Sequence, residues 1–239
     1  MKNTQQTILL ITCEHAVNTI PEPYRGCFKN YQDLLDTHRG IDYGALDIAT
    51  FLANQLNCTI FTASTSRLLI DFNRSIGHPS CFSEATQILP KKQKQTIIET
   101  YYQPYRQRVE SFIAGQLQQG KNILHLSIHS FTPVMGGVTR NADLGLLYDP
   151  RRKLEKDFAH QWQIFLKKIT DTPIKVRKNY PYQGKSDGFT TALRHQFEPS
   201  QYMGIEVETN QSLIDNNRAP DHYKAVLATS LQQLFGEKL

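Results

Sequence analysis

The chain has 239 residues, of which 39% are hydrophobic, 10% aromatic and 21% charged, with a formal net charge of +5. That is enough apolar material for one full hydrophobic core, and it excludes the disordered, fibrous and disulfide-stapled classes. The positive excess is mild and scattered, which suits a site for an anionic small molecule and does not argue for nucleic acid.

Residues 7–13, TILLITC, read as a buried strand that runs directly into Glu14 and His15. Residues 42–57 follow as a helix, because Ala45, Ile48, Ala49, Leu52 and Leu56 share one face, with Asp42 placed to cap it. The apolar runs 58–63 and 67–72 predict two strands. Helical spacing then holds from 92 to 119, with a break or kink at Pro104, and Lys91-Lys92-Gln93-Lys94 forms a solvated helix face. Residues 122–128, NILHLSI, predict a strand ending on His129. Further strands at 144–149 and 174–177 flank a helix over 153–169, and a short helix covers 188–197. GIEVE, residues 204–208, is a buried strand carrying Glu206 and Glu208, and an amphipathic helix closes the chain over 219–235. This alternation predicts an α/β sandwich with a mostly parallel sheet, in a single domain spanning 1–239. No internal repeat or low-complexity linker divides it.

Cys13, Cys27, Cys58 and Cys81 show no CxxC spacing and read as reduced thiols of a cytoplasmic protein. No apolar run approaches the ~18 residues of a membrane span. Residues 1–7 lead into the first strand without a signal-peptide pattern.

In such sheets ligands bind beyond the carboxyl ends of the strands. Three predicted strands end on chemistry there: Glu14 and His15, then His129, then Glu208. With Asp42 they bring two imidazoles and several carboxylates to one rim. Two His and one carboxylate form a ligand set for catalytic zinc, and a further Glu is what such a site needs as general base. No HExxH pair is present, so the ligands come from separate loops. Taken singly, each residue also has a structural reading: Asp42 as a helix cap, His125 as a core histidine, and Glu206 and Glu208 as solvated acids if their strand lies at an edge.

Arginines crowd the loops: Arg67, Arg74, Arg140 and Arg194. In SRLLIDFNRS, Asn73 and Arg74 can grip a carboxylate, with Asp71 to orient the arginine. Four such cations suggest a substrate with more than one carboxylate. Segments 129–137 and 180–188 have the Gly, Pro and aromatic content of lids.

The stretches LITCEHAVNTIP, IDYGALDIA, SRLLIDFNRS, LSIHSFTPV, RNADLGLLYD, NYPYQGKSDGFTTALR and IEVETNQSLI together resemble the N-formylglutamate amidohydrolase family, in order between residues 9 and 214. The combination of EHAxNxxP, HSFTP and DxNR is specific where each alone is not. The resemblance implies a three-layer α/β/α sandwich with a mixed, mostly parallel sheet of the zinc-exopeptidase kind. It implies hydrolysis of N-formyl-L-glutamate to formate and glutamate, within histidine and glutamate metabolism. Matched by position, His15, Asp42 and His129 would hold Zn2+, with Glu14 as the alternative third ligand. Glu208 would be the catalytic base and Arg67 would help the oxyanion, with Asn73 and Arg74 on the α-carboxylate and Arg140 or Arg194 on the side-chain carboxylate. The rival readings are an amidase for another N-acyl amino acid or small peptide, a non-catalytic dicarboxylate-binding module, and a hydrolase using Cys13 beside His15.

Overall fold

The computed structural model describes residues 6–169 and 174–235; residues 1–5 of the expected leader-free start lie outside them. Eight strands form: β1 (Thr7–Cys13), β2 (Thr59–Thr62), β3 (Asn122–Phe131), β4 (Val134–Met135), β5 (Val138–Thr139), β6 (Leu144–Leu147), β7 (Val176–Lys178) and β8 (Tyr202–Asn210). The helices are α1 (Gln32–Leu35), α2 (Ala45–Gln55), α3 (Glu84–Gln87), α4 (Lys91–Ile97), α5 (Gln103–Gln118), α6 (Lys153–Lys168), α7 (Phe189–Gln196) and α8 (Asp221–Phe235).

Six strands make one sheet in the order β2-β1-β3-β8-β6-β7. The first four run parallel; β6 is antiparallel to β8, and β7 is parallel to β6. The sheet is therefore mixed and mostly parallel, with helices on both faces, as expected.

Side-chain alternation decides what each face holds. On β3 and β8, Leu124, Leu126, Ile128, Ile205 and Val207 point into a core shared with α2, α6 and α8, around Trp162 and Leu227. Fully burying such a side chain contributes roughly 1.5–3 kcal/mol. The intervening His125, Ser127, His129, Glu206 and Glu208 take the opposite face. There a second core of Phe28, Phe72, Tyr105, Val109 and Phe189 closes over part of the sheet. The polar residues of that face are buried too.

Four expectations change. Residues 67–72 are buried but form no strand: Leu69 N–H turns back to Ser66 O, and Asp71 N–H donates to Cys81 O. An apolar run cannot distinguish a buried turn from a buried strand. Asp42 does not cap α2; Gly44, in the left-handed region at φ +77°, occupies that position and frees the Asp42 side chain. Pro104 does not break its helix. A π-helical turn at Ile98–Tyr102 directly precedes α5 and absorbs the missing N–H of Pro104. Finally, β3 continues to Phe131, so His129 lies within the strand; β8, by contrast, is the buried strand expected, interior to the sheet with both acids buried. The exposed β4–β5 hairpin, turning at Gly136 and Gly137, has too short a pattern to be read from sequence.

Gly145 on β6 lies opposite Glu208, and a methyl group there would overlap the Tyr180 carbonyl oxygen and reach within 3.2 Å of Glu208 Cβ. Gly145→Ala is expected to cost about 1–3 kcal/mol, read as a fall in the denaturant midpoint at unchanged slope.

Candidate active site

The carboxyl ends of β1, β3 and β8 open into a cavity of about 810 Å³. β1 delivers Glu14 and His15 just past its last residue. Asp42 is brought in because its backbone N–H donates to His15 O at 3.1 Å, while the Asp42–Ala45 turn starts α2. The three side chains of His15, Asp42 and His129 then meet, with candidate ligand atoms all within 4.8 Å of one another.

The two histidines are arranged alike. His15 Nδ1 and His129 Nδ1 approach the same oxygen, Asp42 Oδ2, at 3.1 and 2.8 Å. At the other side of its ring, His15 Nε2 donates to Asp71 Oδ1 at 2.8 Å. His129 Nε2 faces Ser127 Oγ at 2.9 Å and Glu14 Oε2 at 3.2 Å. A carboxylate behind each Nε2 fixes that proton and leaves the Nδ1 lone pair for a cation beside Asp42. The residues thus fit a divalent ion, and nitrogen and oxygen donors of this kind suit zinc. Glu14, the alternative ligand, sits behind His129, wholly buried, where it accepts from Tyr105 Oη at 3.0 Å and Ser127 Oγ at 2.7 Å.

Charge follows this geometry. Burial opposes ionisation of Glu14, Asp42 and Asp71. The hydrogen bond and charge of His129, with smaller contributions, together outweigh it for Glu14. The charges and hydrogen bonds of His15, His129 and Arg67 do so for Asp42, and those of Arg67, His15 and Arg74 for Asp71, so all three are held below the ordinary carboxylate range. Burial likewise opposes charging of His129, but Asp42 and Glu14 raise it well above a normal imidazole. Arg67 bridges two of these acids, donating to Asp42 Oδ1 at 3.3 Å and Asp71 Oδ2 at 3.0 Å, and it lines the cavity.

Glu208 behaves differently. Burial pushes its carboxyl up to about 8, and its Oε2 has no hydrogen-bond partner among the described residues. It lines the same cavity as His15, Asp42 and His129. A buried acceptor without a donor is costly, and the residue that carries it is part of the cavity lining.

The remaining sequence candidates divide. Asn73 and Arg74 line the cavity. Asn73 Oδ1 accepts from Phe189 N–H at 2.7 Å, which turns its amide NH2 the other way, and Arg74 Nη1 donates to Asp187 O at 2.6 Å. Arg140 stays outside the lining, with its guanidinium bonded to Thr132 and Tyr182. Arg194 is not at the cavity. It is buried against Glu155, donating to both carboxylate oxygens and to the carbonyls of Gly184 and Gly204. Its guanidinium is spent on the fold. Cys13 is fully buried, and burial with Glu14 and Asp42 raises its thiol well above the usual value, so it does not supply a thiolate. His125 is a core residue between Thr12 and Tyr202, lowered to about 4 by burial.

Both expected lid segments border the cavity, through Phe131, Thr132 and Met135 on one side and Tyr182, Gln183, Ser186 and Asp187 on the other. His38, Arg39 and Glu84 also line it; the first two lie in a turn and Glu84 starts the four-residue α3, too short for a periodic signal. Asp71, read only as a partner for an arginine, proves to hold His15 as well.

A model of the N-formylglutamate amidohydrolase family matches residues 7–215. The crystal structure of a gene product from Agrobacterium tumefaciens superposes with a TM-score of 0.78 at 29% identity, covering 98% of this chain and 90% of that one. The crystal structure of an N-formylglutamate amidohydrolase from Ralstonia eutropha JMP134 superposes with a TM-score of 0.67 at 17% identity, covering 97% and 92%. No curated protein is significantly similar in sequence.

Two outcomes test this description. Removing the Arg194 guanidinium leaves Glu155 buried and unpaired, so Arg194→Ala is expected to destabilise the fold by about 3–5 kcal/mol, measured by denaturant unfolding. For Glu208, between its ordinary value of 4.5 and its folded value of about 8 the native state keeps a proton that the unfolded chain has released. Its contribution to stability therefore falls as pH rises through that window. Glu208→Gln escapes this loss, so the variant's thermal stability relative to the unaltered metal-free protein should increase from pH 4.5 to 8. A flat difference across that range would contradict the burial of an uncompensated carboxyl.

Proposed function

This chain belongs to the N-formylglutamate amidohydrolase family, and we propose that it cleaves the N-formyl amide of an α-amino acid with a divalent ion held by His15, Asp42 and His129. Family membership makes it a hydrolase of amide bonds. N-formyl-L-glutamate, which would give formate and glutamate, is the substrate named by the family. The observation that carries the proposal is one cavity wall holding both the His-Asp-His trio and the unpartnered carboxyl oxygen of Glu208.

A divalent ion, Zn2+ by donor preference, would supply the Lewis acidity that polarises the amide carbonyl and acidifies water. The protein's own residues do the rest. Glu14 and Asp71 keep the two rings turned so that each Nδ1 is available. The Glu208 carboxyl receives a proton from the attacking water and returns it to the leaving amine. Its elevated proton affinity, about 8, suits a group that must both take and give. Arg67, anchored by Asp42 and Asp71, presents fixed positive charge to the oxygen that becomes anionic. The Asn73 amide and the Arg74 guanidinium hold the α-carboxylate, making the ligand an anionic small molecule at that end.

No helix among the described residues is long and apolar enough to cross a membrane. All four cysteines are free, as in a cytoplasmic enzyme, and the cytoplasm is the location this reading assigns.

The test is metal analysis of the purified protein together with formate release from N-formyl amino acids, glutamate included. Chelator should abolish release, and added Zn2+ should restore it. Glu208→Gln should retain metal while turnover drops roughly 10²–10⁴-fold. Undiminished turnover in that variant would remove Glu208 from the reaction.

A further inference from the structure

On the amidase reading above, Asn73 and Arg74 take the α-carboxylate of the substrate, and such a clamp is only as exact as the backbone that carries it. The pair sits in a turn, outside any helix or strand. Arg74 N–H donates to Asp71 O at 3.1 Å. Arg74 O accepts twice, from Tyr102 Oη at 2.6 Å and from Arg106 Nη1 at 3.1 Å. Arg106 Nη1 also donates to Tyr102 Oη, which closes a triangle on that carbonyl. The Arg106 guanidinium lies 4.3 Å from the centre of the Phe189 ring, and Phe189 N–H donates to Asn73 Oδ1 at 2.7 Å. One guanidinium therefore touches what fixes both halves of the clamp.

Filling space does not require an arginine here. Arg106 and Arg194 are each 7% exposed. Arg194 is matched by the Glu155 carboxylate, whereas the partners of Arg106 among the described residues are a carbonyl, a hydroxyl and two ring faces. A buried guanidinium with only neutral partners costs more than an apolar side chain of similar volume. Arg106 does not line the cavity and Arg74 does, so any effect of the one on a ligand passes through the other. The helix carrying Arg106 is irregular at this point: the π-helical turn Ile98–Tyr102 ends on Tyr102, one helical turn before Arg106. Such turns recur at functional sites.

We propose that Arg106 is a positioning residue for substrate binding. Through Tyr102 and Phe189 it sets the place of Arg74 and the turn of the Asn73 amide, and hence the affinity for the α-carboxylate, without touching the substrate.

The experiment measures formate release by the zinc-loaded enzyme from N-formyl-L-glutamate and from N-formyl-L-isoglutamine, in which a carboxamide replaces the α-carboxylate. Arg106→Met keeps the stem and removes the guanidinium. It should raise KM for the carboxylate substrate by about 10- to 100-fold, with kcat within a few fold of the unaltered enzyme. The preference for carboxylate over carboxamide in kcat/KM should shrink by a similar factor. Arg106→Lys should recover part of the affinity, because an ammonium still donates to the Arg74 carbonyl. Tyr102→Phe removes one oxygen and should move both readouts the same way by a smaller factor. A role confined to the fold would lower apparent kcat through the amount of active enzyme and leave KM and the substrate preference unchanged. That result, or an equal loss on both substrates, overturns the proposal and leaves the amidase reading intact. No formate from the unaltered enzyme with either substrate sinks both. Should Arg106→Met fail to fold, Tyr102→Phe decides by the same two readouts.

Discussion

One oxygen organises this molecule. Asp42 Oδ2 is approached by an imidazole Nδ1 from each of two distant segments, residues 15 and 129, across rings whose centroids lie 4.8 Å apart. Holding two rings and a carboxylate this close in a buried place is unfavourable unless every other polar atom is tied. The structure ties them: Asp71 and Glu14 behind the rings, Arg67 across the acids, Ser127 and Tyr105 on Glu14. β1, β3 and β8 run parallel so that these groups emerge at one end. The Gly44 turn keeps Asp42 out of the helix cap so that it can join them.

Much of this was legible in the residues. In HLSIH and IEVE, apolar and polar positions alternate strictly. Such alternation normally marks a sheet with one wet face. Here both faces are covered, so the polar set becomes a buried functional surface, and the strand-end acids and imidazoles do converge. What the sequence hid has a common cause: local pattern says nothing about which long-range partner a charged group finds. Arg194 looked like Arg67 in composition and context, yet one faces Glu155 in the core and the other faces the cavity. Residues 67–72 looked like a strand because burial on all sides produces the same apolar run in a turn. His38 and Arg39 sit in a turn and Glu84 in a single-turn helix, elements too short to leave a periodic pattern.

The buried acids at and around the trio could all have been ionised or all neutral, and the outcome differs residue by residue for a physical reason. Glu14, Asp42 and Asp71 are each buried, and each is offset by an adjacent imidazole or guanidinium, so attraction exceeds the burial penalty. The proton retained on His129 in the metal-free protein occupies the electrostatic role that a cation beside Asp42 would otherwise fill. The site is thus built around positive charge whichever form supplies it. Glu208 is the acid without a donor on one of its oxygens, and there burial prevails.

That contrast separates holding from reacting. A carboxylate saturated with donors is a poor proton acceptor, because ionisation is already favoured by its surroundings; Glu14 and Asp71 are of this kind and can only position. A carboxyl with an unpartnered oxygen gains from a proton brought to it, and among the described residues Glu208 is the buried acid of this kind. For these buried acids the donors at each oxygen, more than sequence position or burial alone, set which are held ionised and which keeps a proton.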